Sequence, residues 1–214
     1  FLLGPIQFQP SELAKFTVIV LLARHFAKNQ NDPRRVRVFI ISALIPLVPA
    51  VLILAQPDFG TAAIFGIIWF GMAFIAGSRL LHLGLVALIS VLSAPVAWFV
   101  MRPYMRERVV IFFDPTIDPL GAGYNVLQAR IAVGSGGLLG RGGGGATQSQ
   151  LEFLRVRDTD FIFAVIAEQL GFVGSLIVLT LFGVIFVYAL VVAARAPDDF
   201  GRFLAGGVLV LLIF

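Results

Sequence analysis

Six stretches of nearly unbroken apolar residues, at 10–26, 38–55, 59–77, 80–100, 161–194 and from 203 onward, limit what this chain can fold into. About 20 apolar residues in a helix cross the hydrocarbon of a bilayer, so the pattern predicts an all-α, polytopic helical membrane protein with about six transmembrane segments. Composition agrees: 59% of residues are hydrophobic, 13% are charged and 21 are phenylalanine, far from the usage of a soluble domain. The mean hydropathy is +0.97. The 161–194 stretch is long for one crossing, which puts its first turns in the outer interface or tilts it. Because the chain begins at Phe1 and stops at Phe214 inside an apolar run, a fragment lacking earlier and later spans is expected, forming one integral membrane domain over 1–214. Cysteine is absent, which removes disulfides, thiolate metal sites and cysteine nucleophiles.

Positive charge orients the spans, since short cytoplasmic loops accumulate Lys and Arg. Arg24, Lys28, Arg34, Arg35 and Arg37 mark one turn as cytoplasmic, and alternate counting puts Arg79 and the 195–202 turn on the same side. The 56–58 turn and a long loop at 101–160 then fall outside. That loop contains Arg102, Arg106, Arg108, Arg130, Arg141, Arg155 and Arg157, which is compatible with the outside because long loops translocate largely regardless of charge. A connection between two bilayer helices needs far fewer residues, and long loops are usually functional or disordered. The function is therefore sought there, in the polar, glycine-rich stretch 112–171.

Two short motifs on the same predicted face carry charge close to a span. In Gln9-Pro10-Ser11-Glu12-Leu13-Ala14-Lys15, Pro10 suits a first helical position and Glu12 the positive helix start. Glu12 and Lys15 share a face; they form either a surface ion pair at a helix start or part of a functional site, because charges entering hydrocarbon are costly unless paired. In Gln56-Pro57-Asp58-Phe59-Gly60-Thr61 the proline fixes a bend and Asp58 can cap the next helix, or act from the same face as Glu12.

The loop divides into parts. Asp114-Pro115 and Asp118-Pro119, followed by Gly121-Ala122-Gly123, read as successive turns. Residues 124–133 read as an amphipathic helix, with Tyr124, Leu127 and Ile131 apolar at helical spacing, lying in the interface or packed on the spans. The run 134–145, with eight glycines and Arg141, can offer backbone amides to a phosphate or be flexible without a ligand; it fits neither the Walker nor the dinucleotide fingerprint. Gln148 and Ser149 supply an amide and a hydroxyl for sugar groups. Arg155-Val156-Arg157-Asp158-Thr159-Asp160-Phe161 ends the loop at the mouth of a helix, with Glu168 about 12 Å further along. An acid there is either a helix cap or, in a low-dielectric setting, a general base with a raised pKa.

Taken together, QPSELAK, QPDFGTA, FFDPTIDPLGAGY, AVGSGGLLGRG, ATQSQLEFL and TDFIFAVIAEQLGFVG resemble the SEDS family of bacterial cell-wall proteins, the group of RodA, FtsW and SpoVE. The resemblance covers essentially the whole chain, and DPLGAGY, GSGGLLGRG and TQSQLEFL look more like the elongation member than the division member. It implies a multi-spanning, inverting glycosyltransferase of the bacterial cytoplasmic membrane, active on its outer face. Its substrate would be lipid II, polymerised into peptidoglycan strands. Its partner would be a class B penicillin-binding protein, alongside membrane lipids and no nucleic acid. The family's essential acid falls on Asp160, its QPSE-x-AK charges on Glu12 and Lys15, and its QPD acid on Asp58. Where the family reads Leu-Pro-Glu-x-His-Thr-Asp, this chain has Leu154-Arg155-Val156-Arg157-Asp158-Thr159-Asp160, so Asp158 replaces the histidine.

Such chemistry needs a base for an acceptor hydroxyl and cations for a departing pyrophosphate. Asp160 is the expected catalytic base. Glu12, Lys15, Asp58, Arg106, Arg141, Gln148 and Ser149 are the expected substrate contacts. A divalent cation, magnesium or manganese, held by Asp58 or Glu12 with the substrate phosphates, is an alternative to the protein's own cations; no metal ligand set is assigned. A lipid II flippase is the second reading, since intramembrane charges mark transport paths as readily as catalytic sites, and an inactive scaffold recruiting a transpeptidase is a third. Polar groups concentrated on the outer side favour the enzyme.

Overall fold

The computed structural model describes residues 2–3, 6–7, 9–56, 58–119, 121, 123–142 and 161–214. A short hairpin pairs β1 (Leu2–Leu3) with β2 (Ile6–Gln7). The other described elements are helical: α1 (Pro10–Lys28), α2 (Val36–Leu54), α3 (Phe59–Ile75), α4 (Leu80–Val100), α5 (Pro103–Phe113), a 3-10 turn (Pro115–Ile117), α6 (Tyr124–Ser135), α7 (Ile162–Arg195) and α8 (Asp199–Ile213). The protein is an all-helical membrane protein. Of the six expected spans, α2, α4 and α7 are long and apolar enough to cross a membrane, and α3 is a shorter apolar helix. α1 has the length but carries Glu12, Lys15, Arg24 and Lys28.

The chain divides into two compact units, Phe1–Val91 with Val184–Phe214, and Leu92–Gly183. In the first, α2 packs on α1 and α3, and α8 packs on α1 and α3. The contact surface is the apolar stripe Val18, Ile19, Leu22, Ala23 and Phe26 of α1 against Phe65, Ile68, Trp69, Met72 and Ala73 of α3 and Phe203 of α8. Small residues let α8 approach closely, as helices in lipid require. A Cβ on Gly207 would stand 2.5 Å from Ile19 Cγ2 and 2.8 Å from Met72 Sδ. One buried polar chain crosses this core: Trp69 Nε1 donates to Ser42 Oγ at 2.9 Å, and Ser42 Oγ donates to the Phe39 carbonyl at 2.7 Å.

Helix direction sorts the charges. Phe26 meets Phe203 with ring centroids 6.0 Å apart, while Gly207 lies over Ile19 further back along α1, so α8 runs antiparallel to α1. The 24–37 turn, Arg79 after α3 and the 195–202 turn therefore lie at one end of this unit, and the starts of α1 and α3 at the other. The three positive turns that alternate counting put on one side are on one side.

The second unit contains the end of α4, α5, the 3-10 turn, α6 and the first part of α7. Sequence reading left α5 unnoticed; Pro103 opens it at the first helical position, where its missing N–H costs nothing. The Asp114-Pro115 turn is a 3-10 turn capped by Asp114, whose side chain accepts from the Thr116 amide at 3.0 Å. The helix expected at 124–133 runs Tyr124–Ser135, and its Ala132 packs against Ala164 of α7. The long 161–194 stretch is not one tilted helix. α7 is broken at Gly171, whose φ of 66° and ψ of −164° are not helical, and the piece after it is about 36 Å long.

Candidate active site

The first motif forms a charged start to α1. Pro10 occupies the opening turn and Glu12 lies in it, near the positive end of the helix dipole. Lys15 Nζ stands 2.8 Å from Glu12 Oε1, with the lysine side chain 10% exposed and the glutamate 54%. A buried ammonium needs such a partner, because leaving either charge alone in an apolar setting is costly. Beside this turn, Gln9, Ser11 and Ala14 of α1, Pro49 and Ile53 of α2, and Gln56 and Asp58 line a cleft of about 420 Å³. Ser11 Oγ is buried without a hydrogen-bond partner among the described residues, a polar lining group that sequence reading did not single out.

Asp58 caps α3. Its Oδ1 accepts from the Thr61 amide at 3.1 Å and its Oδ2 from the Thr61 hydroxyl at 2.7 Å. The capping reading of the QPDFGT turn thus holds, and the cap also sets the carboxylate in the wall of the α1 cleft. Glu12, Lys15 and Asp58 belong to one end of one unit. No three His, Asp or Glu side chains converge as a metal shell among the described residues.

In the second unit Arg106 and Arg141 are tied to backbone. Arg106 Nη2 donates to the Phe99 carbonyl at 2.7 Å, and its Nε is buried without a partner among the described residues. Arg141 Nε donates to the Ser135 carbonyl at 2.9 Å. One such bond leaves further N–H donors on each guanidinium.

The glycine run, read as an anion nest or a flexible hinge, is instead stitched to the break in α7 over 136–142. The amides of Phe172 and Val173, released where the helix restarts, donate to the carbonyls of Gly137 (2.8 Å) and Leu138 (3.1 Å). In return the Arg141 amide donates to the carbonyl of Glu168 at 3.0 Å, while within the loop the Gly140 amide donates to the Gly136 carbonyl at 2.8 Å. Free helix ends must find partners, and here loop and helix supply each other's. The approach is closer than a side chain permits: a Cβ on Gly136 would lie 2.0 Å from the Ala167 carbonyl oxygen and one on Gly140 2.1 Å from that of Gln169. Glu168, fully buried, sits in this junction. Asp160, Asp158, Arg155, Gln148 and Ser149 lie outside the described residues.

A family model described as Cell cycle protein, for FtsW, RodA and SpoVE, matches residues 1–214. The chain belongs to the FtsW/RodA/SpoVE family. Among the relatives of this FtsW/RodA/SpoVE protein, the Escherichia coli K12 "Peptidoglycan glycosyltransferase MrdB" is 44% identical over 98% of the chain. The Bacillus subtilis "Stage V sporulation protein E" is 36% identical over 98%. The Treponema pallidum "Peptidoglycan glycosyltransferase RodA" is 30% identical over 99%. The chain spans 57% of the first two relatives' length and 65% of the third's.

Two solved structures share the fold. A chain from a study titled "Structural coordination of polymerization and crosslinking by a peptidoglycan synthase complex" superposes with a TM-score of 0.76 at 33% identity, covering 98% of this chain and 57% of that one. An aspartate-to-alanine mutant of the Thermus thermophilus rod shape determining protein RodA gives 0.58 at 27%, covering 98% and 52%.

Proposed function

We propose that the whole protein is a peptidoglycan glycosyltransferase that polymerises lipid II at the outer face of the bacterial cytoplasmic membrane, in the elongation branch of its family. The observation that carries the reading is the 44% identity, over 98% of the chain, to a protein named peptidoglycan glycosyltransferase. In the proposed step the acceptor hydroxyl attacks the anomeric carbon of the donor, a new C–O bond forms, and the bond to the lipid pyrophosphate breaks. Asp160 takes the hydroxyl proton. A single displacement inverts the anomeric centre and needs no carboxylate nucleophile.

The cations proposed for the pyrophosphate are Lys15, Arg106 and Arg141. Gln148 and Ser149 are proposed for sugar groups, and Glu12 and Asp58 for holding Lys15 and the substrate-facing turn. Magnesium or manganese held by Glu12 or Asp58 with the substrate phosphates is the alternative to these cations, and no step is assigned to it. Chelation by EDTA tests that alternative, with unchanged polymerisation expected. A class B penicillin-binding protein is the proposed partner, supported by the peptidoglycan synthase complex among the structural relatives.

The reading is tested with full-length protein and partner in vesicles holding fluorescent lipid II. Glycan strands are expected. Transfer of lipid II between leaflets without strands would replace this reading with the flippase, and neither product would leave the scaffold.

A further inference from the structure

The turn joining α1 to α2, at the end of the first unit opposite Glu12 and Asp58, carries a pocket that the proposed reaction does not use. It encloses about 470 Å³ beside His25, Lys28, Asp32, Arg35 and Arg37. The three cations are exposed. Between Glu12 and Asp58 the chain has Asp32 as its only acid, and Arg35 already pairs with it. Arg24 and Arg34 add to the positive charge of the same turn.

The start of α2 compounds the imbalance. Its N-cap, Arg35, makes no side-chain capping bond and the first turn holds no acid, while Arg37 stands within it. Positive side chains at the positive end of a helix dipole are the reverse of the stabilising arrangement, and a bound anion would relieve both. The pocket is also held together across its two helices, since His25 Nε2 donates to the Val38 carbonyl at 3.0 Å.

Below the charges the wall turns apolar. Ile41 lines the pocket, and Leu44 and Val48 continue it along α2 at helical spacing from Arg37, all three exposed. A free phosphate makes no use of that stripe; a phosphate with an acyl chain attached does. We propose that this pocket binds an anionic phospholipid, its phosphate against Lys28, Arg35 and Arg37 and one acyl chain along Ile41, Leu44 and Val48. Basic pockets of this kind between helices suit anionic headgroups.

Native mass spectrometry of the full-length protein, titrated separately with phosphatidylglycerol, phosphatidylethanolamine and inorganic phosphate, tests it. Wild type is expected to bind phosphatidylglycerol at least tenfold more tightly than phosphatidylethanolamine. Each cation removed is expected to weaken the anionic lipid about fivefold, so Lys28→Gln with Arg37→Gln loses about 25-fold, while Lys28→Arg with Arg37→Lys retains binding. Asp32→Asn removes a negative charge and releases Arg35, and is expected to tighten binding. Equal binding of the two lipids, no loss in the double glutamine variant, or displacement of the lipid by inorganic phosphate at comparable concentration would each overturn the proposal. Should the glutamine variant aggregate, the Asp32→Asn arm decides, with no gain counting against it.

Discussion

Replacing Gly140 by alanine tests the junction between the glycine run and the break in α7. Gly140 has a φ of +80°, and alanine in that left-handed region costs about 1–2 kcal/mol. Its new Cβ would lie 2.1 Å from the Gln169 carbonyl oxygen and 2.5 Å from the carbonyl carbon. Both are backbone atoms, so loop and helix must part. Separation endangers the bonds from Arg141 to Glu168, Phe172 to Gly137 and Val173 to Leu138, each contributing about 1 kcal/mol net. Together the loss is about 4–5 kcal/mol, a large fraction of a typical folding stability.

Neighbouring glycines calibrate the effect. Gly142 has a φ of +67° but open space around it, so Gly142→Ala should cost only the conformational term, about 1–2 kcal/mol. Gly134 lies within α6 with nothing near its missing Cβ, so Gly134→Ala should stabilise by about 0.5–1 kcal/mol. Thermal denaturation in detergent, followed by size-exclusion chromatography, should rank Gly134→Ala above wild type, then Gly142→Ala, then Gly140→Ala, the last lower by about 10 °C. Hydrogen exchange should show the amides of Phe172 and Val173 losing protection in Gly140→Ala alone. Unchanged protection there, with melting equal to wild type, would refute the reasoning.

Other outcomes follow from the same geometry. Asp58→Ala should cost about 1 kcal/mol through the lost α3 cap, whereas Asp58→Asn should melt near wild type; a fall in polymerisation of tenfold or more in Asp58→Asn would then report the carboxylate's charge, and full activity would confine Asp58 to capping. Ser42→Ala removes the acceptor of the buried Trp69 N–H and should cost about 1–3 kcal/mol, read by melting and by the tryptophan emission. The Thr116 hydroxyl, then its amide, hold the Asp114 carboxyl below its ordinary value of 3.8. That contribution is present above the unfolded value and is lost as pH falls through the lower folded one. Relative to the intrinsic rate, the Thr116 amide should therefore keep its protection as pH falls to 3.8 and lose it only below that value, a pH dependence absent in Asp114→Asn.

Much of the fold was legible because lipid imposes one rule on every span: long apolar runs and positive turns place α2, α3 and α4, and the helix starts at Pro10, Asp58 and Tyr124 announce themselves by proline, cap and periodicity. The Glu12–Lys15 pair followed from spacing three on a helix. What local pattern cannot show is which backbone meets which. The break at Gly171 sits inside an apolar run that reads as continuous helix, and its meaning comes from Gly137 and Leu138, 35 positions before the amides they receive. The same distance hid the purpose of Gly136 and Gly140, where composition suggests flexibility and packing demands the absence of a Cβ. α5 was missed because its arginines and short length resemble loop more than span.

The central claim is lipid II polymerisation with Asp160 as the base. The direct measurement is gel analysis of glycan strands formed from lipid II by purified full-length protein with its penicillin-binding partner, comparing wild type, Asp160→Asn and Asp158→Asn. The account predicts strands from wild type and Asp158→Asn and at least a hundredfold loss in Asp160→Asn, in the range a general base contributes. Strands of normal yield from Asp160→Asn would contradict it.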